Sequence, residues 1–350
     1  MRDVAPLKNL TPTELETWVQ EAGQPVYRAK QLLKWIYGRD VENFQAMTDL
    51  SKDFRAWLTR KAHVSCLRRE SVVTDVDGTR KLLFRLWDGE CIESVLINEG
   101  ARLTLCISSQ VGCAYGCRFC LTGQSGWRRD LSAGEIVDQV CGARRELGPE
   151  ERLTNLVFMG MGEPLANFHQ VVKAIEILTA DLGLNFSTRK ITLSTVGLVP
   201  EIERLSRTVP VKLAVSLHAA DSDTRSRLMP INNRYPLEQL LEVCYRLPLP
   251  PRQRITFEYL LIDGVNDSPA AARQLARLLK GFRAKINLIP FNEYPGGLYR
   301  RPPSIRIAEF QQILQEKHFT ATVRQSRGAG IMAACGQLTH SHQASSASSD

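Results

Sequence analysis

No run of eighteen or more apolar residues occurs in the 350-residue chain, so the sequence offers no membrane-spanning helix. The first residues, Met1-Arg-Asp-Val-Ala-Pro-Leu-Lys-Asn9, lack the apolar core that a secretory signal needs. There is no internal repeat. Apart from one short loop, no second cysteine pair and no H-x3-5-H follows downstream, so a structural zinc site would lack its fourth ligand. The composition is 43% hydrophobic and 23% charged, ordinary for a soluble globular protein. At this length a single core stops growing, and a large domain with a smaller one is expected. Nine cysteines, an odd number, suit a reducing cytoplasm better than a disulfide framework. Lys and Arg exceed Asp and Glu, 45 against 37, and the +8 balance admits a polyanionic partner without requiring one.

The loop is Cys106-Ile-Ser-Ser-Gln-Val-Gly-Cys113-Ala-Tyr-Gly-Cys117-Arg-Phe-Cys120. Thiolates so close in sequence point at one metal centre. An iron–sulfur cluster takes four cysteines. Cys113, Cys117 and Cys120 supply three and leave one iron open to a small molecule.

Residues 1–70 read as a basic helical module. Thr11-Pro12-Thr13-Glu14 is a capping box with proline at the first helical position, and Leu15, Trp18, Val19 and Ala22 follow at helical spacing. Helices are also expected over Tyr27–Tyr37 and Ser51–Lys61. Their interleaved Lys and Arg suit RNA phosphates or simply face solvent. Residues 71–99 read as strands around an Asp77-Gly78 hairpin turn, with the domain boundary placed near residue 100. Beyond it, strands near 103–108, 156–159, 191–195, 213–217, 255–261, 286–289 and 320–323 alternate with helices. Ser132-Ala-Gly-Glu135 and Ser268-Pro269 open two of these helices. That alternation means an α/β fold with a parallel sheet curling toward a barrel over 100–338. The polar, low-complexity stretch 339–350 is expected to be disordered.

Reactive residues of such a barrel collect where the strands end. Gly162 and Glu163 follow one strand in Gly160-Met-Gly-Glu-Pro164; the glycines would admit a ligand close to the backbone, and Glu163 could accept an amine hydrogen bond. Ser194, Ser216, Leu217 and His218 follow two others, and Asn292 a fourth, with amide geometry suited to an adenine edge. His218 taken alone is more often structural. Glu93, in the largely apolar Cys91-Ile-Glu-Ser-Val-Leu-Ile97, has the profile of a desolvated general base or of a salt-bridged structural carboxylate. Cys106 and Cys335 are either reactive or, as is commoner, buried and inert; Cys66, Cys91, Cys141 and Cys244 are read as inert.

The C-x3-C-x2-C spacing resembles the radical S-adenosylmethionine (SAM) superfamily. Across about Leu7 to Leu338 the chain is further similar to the RlmN/Cfr family of RNA methyltransferases. The shared stretches are Tyr27-Arg-Ala-Lys-Gln31, Cys106 with the triplet, Met159-Gly-Met-Gly-Glu-Pro164, Ser216-Leu-His218, Met229-Pro-Ile-Asn232, Ile286-Asn-Leu-Ile-Pro290 and Ala334-Cys-Gly-Gln-Leu338. The resemblance implies a partial (β/α)6 barrel with an N-terminal helical accessory domain. It implies a [4Fe–4S] cluster on Cys113, Cys117 and Cys120, with SAM on the open iron and on Gly162, Glu163, Ser194, Ser216, Leu217, His218 and Asn292. Cys335 would carry a methyl group taken from one SAM, and a second SAM would give a 5′-deoxyadenosyl radical that activates it. Carbon 2 of adenine would receive the carbon, Glu93 would remove the ring proton, and a disulfide from Cys106 to Cys335 would free the base. The implied partners are 23S ribosomal RNA, tRNA and an electron donor such as flavodoxin or ferredoxin, for a cytoplasmic monomer without a membrane. Methylation at carbon 8, or a non-catalytic RNA-binding protein with zinc in the loop, are the rival readings. The chain departs from the family pattern at Gly330 and Met332, where acidic residues are usual.

Overall fold

Thr11 begins the first helix, α1 (Pro12–Glu21), with a reciprocal cap. Its Oγ1 accepts the Glu14 amide at 3.2 Å while the Glu14 carboxylate accepts the Thr11 amide at 2.8 Å. A computed structural model describes residues 4–339 of the chain. Helix α2 (Tyr27–Leu33) runs on through a π-turn at Lys34–Gly38, and α3 (Lys52–Lys61) packs back so that the Trp18 and Trp57 rings lie 5.1 Å apart. Leu15, Val19, Leu32, Ile36, Phe54 and Leu58 are the buried side of this unit. One of its cations is not a solvated one: Lys8 is fully buried and pairs with Asp138.

Three antiparallel strands follow, β1 (Arg68–Thr74), β2 (Arg80–Arg85) and β3 (Cys91–Glu99), and β3 pairs antiparallel with β4 (Arg102–Cys106). From β4 onward the ladder is parallel, through β5 (Asn155–Phe158), β6 (Ile191–Thr195), β7 (Lys212–Ser216), β8 (Ile255–Leu261), β9 (Ala284–Pro290) and β10 (Ala321–Val323). All ten strands form one sheet in chain order. Residues 71–99 are thus continuous with the barrel sheet, and residue 100 lies in the turn between two of its neighbours.

The crossover helices are α4 (Ala133–Arg144), α5 (Phe168–Thr179), α6 (Val199–Thr208), α7 (Ser222–Leu228) with α8 (Leu237–Arg246), α9 (Pro269–Leu278) and α10 (Ser304–Glu316). Six strand–helix units and a final strand make the open barrel. Sequential order with right-handed crossovers puts these helices on one face, and the sheet curls around the other. The helix starts follow the caps in the sequence: Ser132 and Glu135 form a second box, and Ser268 Oγ accepts the Ala271 amide before Pro269. Arg145 reaches back to Asp40 at 2.6 Å and Lys173 to Glu14 at 2.7 Å, docking the helical unit on α4 and α5. Among the described residues no helix is long and apolar enough to cross a membrane. The stretch 340–350 lies outside the described residues, whereas Thr339 is described and touches Glu93.

Candidate active site

Cys113 follows a short ribbon, Gln110–Gly112 against Trp127–Asp130, and its amide donates to the Gly126 carbonyl at 3.0 Å. Further along, the Arg118 amide donates to the Leu228 carbonyl and the Cys120 amide to the Cys117 carbonyl, which closes the loop. Cys113, Cys117 and Cys120 line one cavity with Gly162, Glu163, Ser194, Ser216 and His218. Burial pushes the Cys113 thiol up to about 12 and raises Cys117 and Cys120, each neighbouring thiol adding to the effect. Such thiols stay protonated until a metal displaces the proton. Among the described residues no three Cys, His, Asp or Glu side chains are gathered tightly enough for a single metal ion. Three thiols lining one cavity leave a metal centre one protein ligand short, which suits a cluster with an open iron and not a closed four-ligand structural zinc.

The turn after β5 is held by a buried polar network. Ser108 Oγ accepts the Met161 amide at 2.9 Å and donates to the Glu93 carbonyl at 2.6 Å, while Gln110 Oε1 accepts the Glu163 amide at 2.8 Å. Gly162 has φ +94°, and a Cβ there would lie 2.5 Å from Gln110 Cβ. The close neighbour that requires glycine is therefore the chain's own segment 107–110; no ligand need be invoked for it. Glu163 accepts the Leu165 amide at 3.0 Å and the Val196 amide at 2.8 Å, and burial still pushes its pKa up to about 7. Its remaining lone pairs are open to an amine.

His218 has φ +57°, and its Nδ1 accepts the Leu260 amide at 3.0 Å, which leaves the proton on Nε2. Burial first, then the Arg225 guanidinium, lowers its pKa to about 3, so the ring is neutral. Leu217 is fully buried and does not line the cavity; its amide donates to the Glu258 carbonyl. Asn292 lines the adjoining cavity instead, with its amide donating to the Cys335 carbonyl at 3.3 Å and its oxygen accepting from Ser326 at 2.5 Å.

That adjoining cavity holds Cys106, Cys120, Arg324 and Cys335. The C-terminal segment reaches it by lying over the cysteine loop: the Leu121 amide donates to the Gly336 carbonyl at 2.8 Å and Thr122 Oγ1 to the Leu338 carbonyl at 2.6 Å. Upstream, the segment hangs from the β1–β2 turn. The Gly328 amide donates to Asp77 Oδ2 and the Gly330 amide to Asp75 Oδ2, both at 3.1 Å. A Cβ on Gly330 would lie 2.8 Å from Asp75 Oδ1, so an acidic side chain there would meet both a clash and a like charge. Glu93 is buried on the strand face that also presents Val95 and Ile97 to the cavity, but it does not line the cavity itself. Lys81 Nζ stands 2.9 Å from its Oε1 and the Thr339 amide donates to Oε2 at 3.0 Å. This is the ion-paired arrangement, not the bare desolvated carboxylate.

Two lining residues escaped the sequence reading. Arg324 lines the cavity with both thiols, its side chain 3.8 Å from Met159 Sδ, and its pKa is raised by Cys335 first. Glu258 lies buried in β8, bonded by Asn287 at 3.1 Å, its pKa raised by burial. The argument applied to Glu93, an acid inside an apolar strand, would have found it.

An open parallel barrel with three thiols and an acid-bearing turn at its rim defines a radical SAM enzyme, and the radical SAM superfamily model matches residues 107–276. The model of the ribosomal RNA large subunit methyltransferase N-terminal domain matches residues 5–64. The chain is 54% identical over 332 residues to the dual-specificity RNA methyltransferase RlmN of Syntrophobacter fumaroxidans, covering 95% of this chain and 97% of that one. With the RlmN of Geotalea uraniireducens it shares 52% identity over 95% of this chain and 96% of that one. The crystal structure of a radical SAM methyltransferase from Sphaerobacter thermophilus matches with a TM-score of 0.93 and 48% identity, over 96% of this chain and all of that one. This chain belongs to the RlmN family of radical SAM methyltransferases, whose cofactors are a [4Fe–4S] cluster and SAM.

Proposed function

We propose that the chain methylates carbon 2 of adenosine in 23S ribosomal RNA and in tRNA, in the cytoplasm, as a monomer. The observation that carries this reading is the meeting of Cys106, Cys120 and Cys335 in one cavity beside the rim. When bound, the cluster and SAM supply an electron and a hydrogen-abstracting radical. Cys113, Cys117 and Cys120 would hold the cluster. Gly162, Glu163, Ser194, Ser216 and His218 line the cavity where SAM would sit, and neutral His218 keeps a donor on Nε2.

Adenine carbon 2 is electron-poor and cannot attack a methyl sulfonium. Cys335 therefore takes the methyl group first, forming a thioether. The activated carbon bonds to the ring while still tethered to Cys335. The ring adduct gives up one electron, which the oxidised cluster would accept, and Glu93 takes the ring proton once its oxygens are released from Lys81 and Thr339. Cys106 then attacks the Cys335 sulfur as the thiolate; the S–S bond forms as the carbon–sulfur bond breaks, and the carbon keeps the bonding pair and takes up a proton to become the methyl group. A donor such as flavodoxin or ferredoxin would supply the electron that cleaves SAM, and a dithiol reductant would restore the two thiols by exchange. The target base must leave its stack to reach this depth.

Mass analysis of the holoenzyme should find one methyl group on Cys335. Cys335→Ala should abolish methyl transfer while 5′-deoxyadenosine still forms. Methylation retained in that variant would remove Cys335 from the reaction, and 8-methyladenosine in digested RNA would move the product to carbon 8.

A further inference from the structure

At the end of the barrel opposite the rim lies a cleft of about 1170 Å³, formed by the loop before β8, helix α9 and the loop after α10. Arg252, Arg254, Arg273, Arg277, Lys280 and Lys317 line it. With Arg283 it gathers seven cations against one carboxylate, Glu316, in a chain whose whole formal excess is +8. Several cations elsewhere are paired: Arg207 with Glu203, Arg246 with Glu242, Arg145 with Asp40 and Glu42. None of the seven has an ion pair among the described residues. Arg283 instead donates to the Leu249, Pro250 and Gln253 carbonyls, which holds the loop that presents Arg252 and Arg254. The crowding continues along the strand starts, where Lys212 has its pKa lowered by burial and then by Lys285, Lys190 and Arg102.

Cations at helix C-termini complement the helix dipole, which accounts for Arg277 and Lys317. It does not account for Arg252, Arg254 or Arg273. Arg273, Arg277 and Lys280 fall at i, i+4 and i+7, and the first two rise about 6 Å along the helix, comparable to the step between successive phosphates of a nucleic acid strand. A single small anion cannot engage a row of this length. An acidic electron donor is disfavoured by distance: β8 separates the cleft from the rim by about 20 Å.

We propose that this cleft is a second RNA-contact site, holding the phosphodiester backbone of a substrate RNA segment remote from the target adenosine. The inference rests on the RNA-methyltransferase reading and extends it to a surface away from the chemistry. A long polyanion meeting here would bind through released counterions and without sequence preference.

The test uses the holoenzyme, an RNA fragment carrying the target adenosine with its neighbouring helices, and a short stem-loop carrying the same adenosine. Affinity is measured over a salt series for wild type and for Arg273→Ala/Arg277→Ala/Lys280→Ala. For the long RNA the triple variant should lose about two to three units of the log–log salt slope. Its affinity should fall roughly tenfold or more at about 0.1 M salt. Short stem-loop binding and 5′-deoxyadenosine formation should not change, and with long RNA KM should rise while kcat holds. The charge-keeping Arg273→Lys/Arg277→Lys/Lys280→Arg should bind like wild type. An unchanged slope, an equal loss on both RNAs, a failure of the charge-keeping variant to rescue, or occupation of the cleft by an acidic protein with RNA affinity intact would each overturn the proposal. A wild-type holoenzyme that methylates neither RNA sinks the methyltransferase reading and this site with it, an outcome distinct from equal binding by an active wild type and its variant.

Discussion

Replacing Arg324 by glutamine removes a cation that lines the cavity with Cys106 and Cys335 and opposes the rise of the Cys106 pKa. Burial, then Cys335, pushes the Cys106 thiol up to about 12 even with Arg324 opposing them. At pH 8 only about one molecule in 10⁴ carries that thiolate, so the disulfide step proposed to free the product would draw on a small population. A cation within about 4–6 Å is worth roughly 1–3 pKa units to an anion. Its loss should cut the thiolate about 10- to 1000-fold. The more basic thiolate attacks faster, with a Brønsted slope of about 0.4–0.5, which recovers nearly half of that loss on a logarithmic scale. The net slowing of release is then roughly 3- to 60-fold. Rapid quench and denaturing electrophoresis would read it as a protein–RNA adduct that builds up in Arg324→Gln and decays slowly. Because ionisation increases with pH below 12, decay should speed up by about tenfold per pH unit. Arg324→Lys should clear the adduct nearly as fast as wild type. If Arg324→Gln clears it at the wild-type rate, the guanidinium does not govern this thiol and the reasoning fails.

Glu163 has a folded-state pKa of about 7, above its unfolded value, so the stability it contributes is complete below about pH 4.5 and is lost as pH rises through 7. Wild type should therefore lose about 3 kcal/mol across that window relative to Glu163→Gln, and denaturant titrations that run parallel would contradict the burial account. Gly162→Ala forces a side chain onto Gln110 at positive φ, and SAM affinity by equilibrium dialysis should drop at least about tenfold. Arg225, fully buried, donates to the Val196 carbonyl and to Asn232 at 2.8 Å. Arg225→Met should cost about 3 kcal/mol, read as a lower Tm, with an unchanged Tm ruling out a structural role.

The alternation of apolar strands with capped helices made the barrel legible from sequence, because period and caps are local signals. Strand partners are not local. That β3 pairs with β4 and merges the hairpin region into the barrel sheet could not be read from Asp77-Gly78 alone. The cysteine triplet was visible through its spacing, whereas Arg324 lay in a stretch with no motif and became noticeable only beside Cys106. The amide of Asn292 suits an adenine edge, yet the fold commits it to Cys335 and Ser326, partners far along the chain. An acid in an apolar strand is compatible with a desolvated base or a salt-bridged carboxylate, and the partner that decides between them, Lys81, lies on the neighbouring strand, out of local view.

A barrel cut loose at residue 100 would leave the N–H and C=O groups of Arg102–Cys106 facing water with the Cys91–Glu99 ladder gone. Such a fragment would also lose the lysine and the hairpin turn from which the segment presenting Cys335 is suspended. It should self-associate through its bare margin, and monodispersity in light scattering would show otherwise. Autonomy in this enzyme therefore belongs to the whole ten-stranded lamina, and trimming it to the part around the cysteine loop would sacrifice the mooring of Cys335 as well.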